Sequence, residues 1–436
     1  MIIPALFYRD YKMKTIDLKF TRLLRLGTGI VLLLFSFFVT SCSNDDPALA
    51  KKPIAGKRNP INSSFGNFVS GLKYLPDGER GAAVIQFMQN YPQTPVIEKD
   101  SIVSLYWFGK AKQVLINGDL QSGWSVPDTM EAVPCGKDTF FHISYVVPRD
   151  ARLDYQFAVD SIITVDLRNP AITPSGYGPH SEIAMPGFKS DAVRLYKSDI
   201  RHGTVGSIWF TSRNTSIRER QVKIYVPAGY QNLSNLPVLF VLDGFEAIDF
   251  MSYPTVLDNL IASHKIEPVL AVFIPPADRY SEFLGPLQDA FMNAICDELI
   301  PAIDRKFKTA CDPRRRGITG ISAGGHLALL TVFSRPDKIQ CGAGQSATLS
   351  VKLHEAFHSF LNQGKNRPTL CIYFDVGRYD LPGGTVKNLT FYQANQDFHL
   401  ELEKAGIKHL FQVVNDGHEW ANWRDRTDDI LCGFFQ

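Results

Sequence analysis

The 436-residue sequence lacks several patterns that mark whole classes of protein. It has no C-x-x-C pair, no glycine-rich phosphate loop and no stripe of lysine or arginine, and its formal net charge is only +2. These absences argue against a nucleic-acid-binding surface and against a nucleotide-phosphate site. Its 45% hydrophobic and 21% charged residues are ordinary for a folded globular protein. We therefore expect a globular protein without a nucleic-acid partner.

Cysteines are few, and six of the seven follow residue 42. Cys341, Cys371 and Cys432 lie in apolar stretches, where a cysteine serves as a small buried hydrophobic residue. Cys296 and Cys311 flank one predicted helical segment. Whether these two pair in an oxidising compartment is an alternative that the sequence leaves open.

The amino terminus carries an apolar run of a distinctive kind. The run covers residues 26–39, follows basic residues from Lys14 onward, and ends at Val39-Thr40-Ser41-Cys42. It is short for a membrane-spanning helix. The pattern predicts a lipoprotein signal peptide over residues 1–42, with Cys42 as the site of cleavage and acylation. We therefore expect a protein held at the outer membrane, on its periplasmic face or the cell surface, by lipid alone.

The rest of the chain divides by its pattern of apolar residues. Residues 43–94 predict a polar tether and a short helical segment. Within 95–170, short apolar stretches separated by turn residues predict a small all-β, immunoglobulin-like sandwich. Residues 171–200, rich in glycine and proline, predict a linker. Over 201–436, strands alternate with helices, which predicts a doubly wound, mostly parallel α/β sheet.

The most informative stretch is Gly320-Ile321-Ser322-Ala323-Gly324, a G-x-S-x-G motif between a predicted strand and a predicted helix. The motif resembles the nucleophile elbow of α/β-hydrolases, in which a strained turn exposes the serine hydroxyl. Side chains at 320 and 324 would collide with neighbouring backbone. We therefore predict Ser322 as the nucleophile. The backbone N–H of Ala323, at the helix start, is predicted to face the developing oxyanion.

An acid and a histidine follow in the chain order that this fold requires. Asp380 lies in the loop after the apolar stretch 369–375, and His418 follows the predicted last strand, 409–414. We predict that His418 takes the proton from Ser322, while Asp380 orients the imidazole. Asp375 is the main alternative acid, with Asp416 behind it, because a single sequence does not show which carboxylate touches the histidine.

A competing motif, His354-Glu355-Ala356-Phe357-His358, matches the H-E-x-x-H helix of zinc proteases. The metzincin continuation is absent, since Leu361 and Gly364 stand where glycine and histidine are needed. A solvated helix is the favoured interpretation. No metal and no other cofactor is expected, and a zinc hydrolase is the third-ranked function.

Several stretches of residues 65–436 together resemble the enterochelin esterase-like branch of the α/β-hydrolases, the esterase D group. They are residues 153–160 with 168–170, 181–188, 220–227, 297–301, 320–325, and 417–420 with 423–424. The resemblance implies a serine carboxylic-ester hydrolase that follows an N-terminal early-set, immunoglobulin-like domain. It assigns Ser322 as nucleophile, His418 as base and Asp380 as acid.

The resemblance also implies an oxyanion hole and a substrate class. The hole would use the N–H of Ala323 and one from Gly244 or Phe245. Asp243-Gly244 replaces the His-Gly of many esterases, which leaves the second donor open. Such relatives cleave catecholate siderophores or feruloyl and acetyl esters of plant polysaccharide. The expected substrate is therefore a phenolic or acyl ester, small or oligosaccharide-linked.

Three residues are candidate substrate contacts. Trp420 and Trp423 lie three apart after His418 and can stack on a flat acyl group or a sugar, with core packing as the alternative. Arg279 follows a predicted strand and can face the cleft, with a local ion pair as the alternative. The N-terminal sandwich is expected to bind glycan, or to wall the cleft and pair subunits into a homodimer. The alternative function is a non-catalytic glycan- or ligand-binding surface lipoprotein on a hydrolase scaffold.

Overall fold

The computed structural model describes residues 57–58, 62–121, 123–124, 126–190 and 192–436. The predicted signal peptide, its Cys42 and most of the predicted tether lie outside these residues. Across the part of the chain that is described, no helix has both the length and the apolar character needed to cross a membrane.

The first part of the described chain combines two helices with eleven short strands. In chain order the elements are β1 (Lys57–Arg58), α1 (Ser64–Leu72), α2 (Asp77–Asn90), β2 (Val96–Glu98), β3 (Ile102–Gly109), β4 (Val114–Gly118), β5 (Asp128–Thr129), β6 (Glu131–Cys135), β7 (Asp138–Val146), β8 (Arg152–Val159), β9 (Ile162–Thr164), β10 (Ile172–Thr173) and β11 (His180–Ala184). Helix α2 matches the predicted helical segment. Helix α1 was not predicted, although Ser63 caps it and Phe65, Val69 and Leu72 bury one face.

These strands form two antiparallel sheets that share a core. The first has the order β1-β7-β3-β2 with β6 on β7, and the second has the order β10-β11-β8-β4-β5 with β9 on β8. One apolar cluster contains Leu105 and Ile143 of the first sheet and Ile116 and Leu153 of the second. The two sheets therefore pack face to face.

The predicted linker, 171–200, begins within this second sheet. Strand β11 pairs with β8 along four residues, and Ile183 is fully buried in the shared core. The linker prediction is therefore wrong up to Ala184. Glycine and proline around the short strand hid it, because they mark turns on both sides of a stretch only five residues long.

The second part of the chain alternates strands and helices. The elements are β12 (Thr204–Phe210), β13 (Arg220–Val226), β14 (Val238–Leu242), α3 (Gly244–Met251), α4 (Tyr253–Ala262), β15 (Leu270–Ile274), α5 (Arg279–Phe283), α6 (Gln288–Ala294), a π-helical turn (Ile295–Leu299), α7 (Ile300–Lys306), β16 (Arg316–Ile321), α8 (Ala323–Ser334), β17 (Cys341–Gln345), α9 (Val351–Leu361), β18 (Cys371–Gly377), α10 (Phe391–Lys404), β19 (His409–Val414), α11 (Trp420–Arg424) and α12 (Thr427–Phe435).

One eight-stranded sheet organises this part, in the order β12-β13-β15-β14-β16-β17-β18-β19. Strands β12 and β13 are antiparallel to their neighbours, and the others run parallel. On β14, Phe240 belongs to the core on one face of the sheet and Leu239 to the core on the other. Both faces are buried, which explains the continuous apolar run of this strand. The predicted doubly wound, mostly parallel sheet is confirmed.

The open disulfide alternative is not realised in this structure. Cys296 is buried in the helical stretch that runs from α6 to α7, whereas Cys311 is exposed, and both are free thiols. Burial raises the pKa of the Cys296 thiol to about 12, so this cysteine behaves as a small hydrophobic residue.

Candidate active site

The serine of the G-x-S-x-G motif lies at the strained turn between β16 and α8. Ser322 has φ 52° and ψ −116°, a conformation that non-glycine residues rarely adopt. A Cβ atom on Gly320 would lie 2.4 Å from the carbonyl carbon of Gly324, so position 320 requires glycine. At Gly324 the nearest neighbour is the carboxylate of Asp243, at 3.0 Å, rather than backbone. The turn has the strand-to-helix geometry that the motif predicts.

Ser322, His418 and Asp380 form one chain of hydrogen bonds. The Nε2 atom of His418 lies 3.0 Å from Oγ of Ser322, and its Nδ1 atom lies 2.6 Å from Oδ1 of Asp380. The N–H of Leu381 also donates to that carboxylate oxygen, at 2.7 Å. Asp380 is buried, so its charge acts on the imidazole with little screening by water.

The two alternative acids contact another partner. Arg426 donates to Asp375 at 2.9 Å and to Asp416 at 2.5 Å, and Tyr373 donates to Asp375 at 2.8 Å. Burial raises the pKa of Asp416 to about 7, although Arg426 opposes the shift. Of the three candidates, the structure brings Asp380 to the histidine.

Aromatic side chains hold the imidazole of His418 from two directions. The ring centroids of Phe391 and Trp423 lie 5.0 and 4.9 Å from that of His418, both edge to face. The indole N–H of Trp423 donates to Oγ of Ser346 at 2.9 Å, and the side chain is buried. Trp423, predicted as a substrate contact, therefore packs against the imidazole of His418 and is itself fixed by Ser346.

A cavity of about 830 Å³ opens over Ser322 and His418. Its size is that of a pocket for a small organic ligand. The three predicted substrate contacts, Arg279, Trp420 and Trp423, all line it. The N-terminal part of the chain contributes a further set of lining residues, which are Gly123, Trp124, Gln156, Gly176, Tyr177 and His180. Sequence reasoning missed these six, because they lie on turns and short strands that carry no motif.

Helix α3 begins at the predicted second oxyanion loop. Asp243 has a left-handed backbone with φ 51°, and Gly244 packs so closely that a Cβ atom would lie 2.4 Å from the backbone nitrogen of Ile274. The ammonium group of Lys223 lies 4.3 Å from the ring centre of Phe245, a cation–π contact that stabilises the position of this ring. Backbone N–H groups at this helix start have no partner within the helix.

The side chain of Arg279 forms the ion pair that the sequence left open as an alternative. Its Nε and Nη2 atoms each donate to the carboxylate of Asp243 at 2.8 Å, and Nη2 also reaches the carbonyl oxygen of Ile321 at 3.3 Å. The arginine side chain remains 41% exposed where it lines the cavity. It is therefore held rigidly with part of its charge facing the site.

A buried arginine joins the N-terminal sheets to the segment that follows His418. Arg152 on β8 donates to Asn422 at 2.7 Å and to Glu182 at 3.0 Å, and its Nη2 atom lies 2.8 Å from Asp154. The arginine is only 1% exposed. Sequence reasoning missed this residue, because a single arginine in an alternating strand carries no local signal for a distant partner.

The H-E-x-x-H stretch forms helix α9. Nδ1 of His354 lies 2.9 Å from Oε2 of Glu401 on α10, and His358 is exposed to solvent. The two histidines therefore have different surroundings, which agrees with the favoured interpretation of a solvated helix packed through one face.

Comparison with known proteins places the chain in a family. The model of the family described as "Putative esterase" matches residues 214–434. The chain is similar to an endo-1,4-beta-xylanase/feruloyl esterase of Xylanibacter ruminicola, with 31% identity over 59% of this chain and 34% of that protein. It is also similar to an iron(III) enterobactin esterase of Dickeya dadantii, with 26% identity over 47% of this chain and 49% of that protein. The matched part thus spans half or less of each of these relatives.

The fold has a solved counterpart. The crystal structure of the enterobactin esterase from Shigella flexneri in the presence of enterobactin superposes with a TM-score of 0.63 at 18% identity. The match covers 78% of this chain and 94% of that one, so it extends beyond the residues that the family model matches. The fold is α/β-hydrolase-like. With the family model covering half of its length, the chain belongs to the enterochelin esterase-like esterase family.

Proposed function

We propose that the protein hydrolyses esters through an acyl-enzyme formed on Ser322. The observation that carries this proposal is the hydrogen-bonded chain from Ser322 through His418 to Asp380, with distances of 3.0 and 2.6 Å. The serine Oγ attacks the ester carbonyl carbon as its proton passes to Nε2 of His418. The imidazolium then gives that proton to the leaving alcohol, while Asp380 stabilises the cation. Water, activated by the same histidine, releases the acid.

The negative oxygen of the tetrahedral intermediate needs donors at the elbow. The N–H of Ala323 supplies one, because it is the first residue of α8. The start of α3, at Gly244 and Phe245, supplies the second. The ion pair of Asp243 with Arg279 fixes the backbone at this point, which is how the chain replaces the histidine of many esterases.

The substrate proposed is a phenolic or acyl ester, either a feruloyl or acetyl ester of a polysaccharide or a catecholate siderophore ester. Two relatives, a feruloyl esterase and an enterobactin esterase, support this class. Trp124, Tyr177 and Trp420 line the cavity and offer aromatic faces to a planar acyl group. The guanidinium of Arg279 offers a positive charge to a carboxylate or phenolate oxygen.

The remaining proposals concern architecture and location. The two N-terminal sheets are proposed to form an immunoglobulin-like sandwich whose role is to wall the cleft, supported by the lining residues that they contribute. Cys42 is proposed as the lipidated residue that holds the enzyme at the outer membrane.

Fluorophosphonate labelling of the purified protein, with the modified site mapped by mass spectrometry, tests the triad. We expect one adduct, on Ser322, and none in Ser322→Ala. The variant Ser334→Ala, at an exposed position on the same helix, should label like the wild type. Absence of an adduct in folded wild-type protein would contradict the proposal. Rates of hydrolysis for feruloyl, acetyl and catecholate esters then separate the substrate classes.

A further inference from the structure

Three buried side chains from distant parts of the sequence converge beside the active-site cavity. They are Asp154 on β8, His180 on β11 and Glu419, which directly follows His418. One ligand atom from each lies within 4.8 Å of the other two, and none of the three side chains is more than 9% exposed. His180 and Glu419 also line the cavity.

The imidazole of His180 has one nitrogen without a hydrogen-bond partner. Its Nε2 atom lies 3.4 Å from Oγ of Ser175, which can accept the ring proton. Its Nδ1 atom is buried and unpartnered, 3.7 Å from Oδ2 of Asp154 and 3.8 Å from Oε2 of Glu419. These separations are too long for hydrogen bonds. A lone pair and two carboxylate oxygens therefore face one another across a gap.

The surroundings of this gap carry excess negative charge. Four carboxylates meet two guanidinium groups there, namely Asp119, Asp154, Glu182 and Glu419 with Arg152 and Arg424. The four carboxylates exceed the two guanidinium groups by two charges, which one divalent cation offsets.

We propose that Asp154, His180 and Glu419 bind a Zn²⁺ ion. One imidazole nitrogen and two carboxylate oxygens are a ligand set that zinc accepts, and three protein ligands leave a fourth position for water or a substrate oxygen. In a tetrahedral zinc site, ligand atoms lie roughly 3.3 Å apart. The separations of 3.7 and 3.8 Å from His180, and a third one within 4.8 Å, therefore need only small movements of the three side chains. Ser175 supplies the outer partner that ligating histidines commonly have.

Such an ion would link two parts of the molecule at the catalytic turn. Asp154 and His180 belong to the second N-terminal sheet, whereas Glu419 is bonded through the chain to the base His418. The ion would therefore hold the cavity wall against the loop that positions the imidazole. The site does not depend on the proposed triad chemistry, since none of its ligands belongs to the triad.

Calorimetric titration of chelator-stripped protein with ZnCl₂, with metal content measured by mass spectrometry, tests the site. We expect one Zn²⁺ per chain, and a binding constant at least about tenfold weaker in His180→Ala and in Glu419→Gln. The double variant His354→Ala/His358→Ala, which removes the competing zinc motif, should bind as the wild type does. Ser322→Ala should also bind normally, which separates this result from any failure of the esterase proposal.

Three outcomes would overturn the site. They are the absence of stoichiometric zinc binding in folded wild type, unchanged affinity in Glu419→Gln, and loss of binding in the His354/His358 double variant. Glu419→Gln keeps the size of the side chain, so it decides the question even where His180→Ala does not fold, as judged by circular dichroism.

Discussion

His418 and Glu419 are consecutive residues, yet they face two polar networks of opposite character. His418 has a hydrogen-bond partner on each ring nitrogen, at 3.0 and 2.6 Å. Glu419 faces the unpartnered nitrogen of His180 at 3.8 Å, in a region where negative charge exceeds positive charge. In the first network each ring nitrogen of the histidine has a partner, as the proposed acid–base relay requires. In the second network the Nδ1 atom of His180 has none, and this is the gap in which we propose a Zn²⁺ ion.

The largest effect is expected when the first network loses its nucleophile. Ser322→Ala should lower kcat for an ester substrate by about 10⁶-fold, because residues of such a triad act as one unit. The residual rate would reflect oxyanion stabilisation and binding. Steady-state hydrolysis by folded variant and wild type measures the ratio, and a loss of less than about tenfold would remove Ser322 from the mechanism.

The next largest effect is expected at Asp380, the proposed acid of the first network, and Asp375 serves as the comparison. Asp380→Asn should lower kcat by about 10⁴-fold, because an amide favours the wrong imidazole tautomer. Asp375→Asn should instead act mainly on stability, since it weakens the contacts with Arg426 and Tyr373. Activity and urea unfolding are measured on both variants. The assignment fails if folded Asp375→Asn loses more activity than Asp380→Asn.

A third test removes the positive charge of Arg152 from the second network. Arg152→Met leaves the buried Asp154 without its guanidinium partner and leaves the half-buried Glu182 with only Arg424, at 3.5 Å, which should lower the free energy of unfolding by about 3–5 kcal/mol. The control is Arg315→Met, since Arg315 and Glu267 form a pair that is partly open to solvent. That change should cost about 0–1 kcal/mol. Urea denaturation compares the two, and equal losses would contradict the structural importance of Arg152.

The smallest expected effect is a change in how steeply the stability of the metal-free protein depends on pH. Burial, reinforced by Asp119 and Asp154, raises the pKa of Glu419 to about 9 in the folded state, above the value of about 4.3 expected when unfolded. Between these values the folded protein holds more protons, so this group makes stability fall as pH rises from about 5 to 9. Glu419 faces Asp119, Asp154, Arg152 and His180, and Glu419→Gln should flatten the slope.

Thermal unfolding at a series of pH values, with chelator present, measures that slope for both proteins. An identical slope in wild type and Glu419→Gln would show that the carboxylate stays ionised and paired in the metal-free fold. If zinc, added in place of chelator, flattens the pH slope of the wild type to that of Glu419→Gln, the proton and the ion bind at the same position.

The first network could be predicted from sequence because each member lies beside a local pattern. Ser322 sits in a glycine-bounded turn, and Asp380 and His418 follow apolar strands in the order that parallel topology brings to one edge. The choice between Asp380 and Asp375 needed the structure, because both lie near the end of β18 and only side-chain direction separates them.

The second network could not be predicted, for a physical reason. Asp154, His180 and Glu419 come from two strands and a loop separated by long stretches of chain, and packing alone brings them together. His180 also lies on β11, inside a stretch whose glycines and prolines predicted a linker. Trp124 and Tyr177 could not be predicted as cavity residues for the same reason, because tertiary packing rather than a periodic pattern places them there.

The shared cavity has a consequence for how related chains can differ in selectivity. Ser322 and His418 line it from the part of the chain built on the eight-stranded sheet, while Trp124, Gln156 and Tyr177 line it from the N-terminal part. We expect replacements of Trp124 or Tyr177 to change which groups fit the cavity without disturbing the strained backbone at Ser322. The proposed chemistry and part of the proposed selectivity thus lie on separate segments, so a related chain can take a different substrate with the same reacting groups.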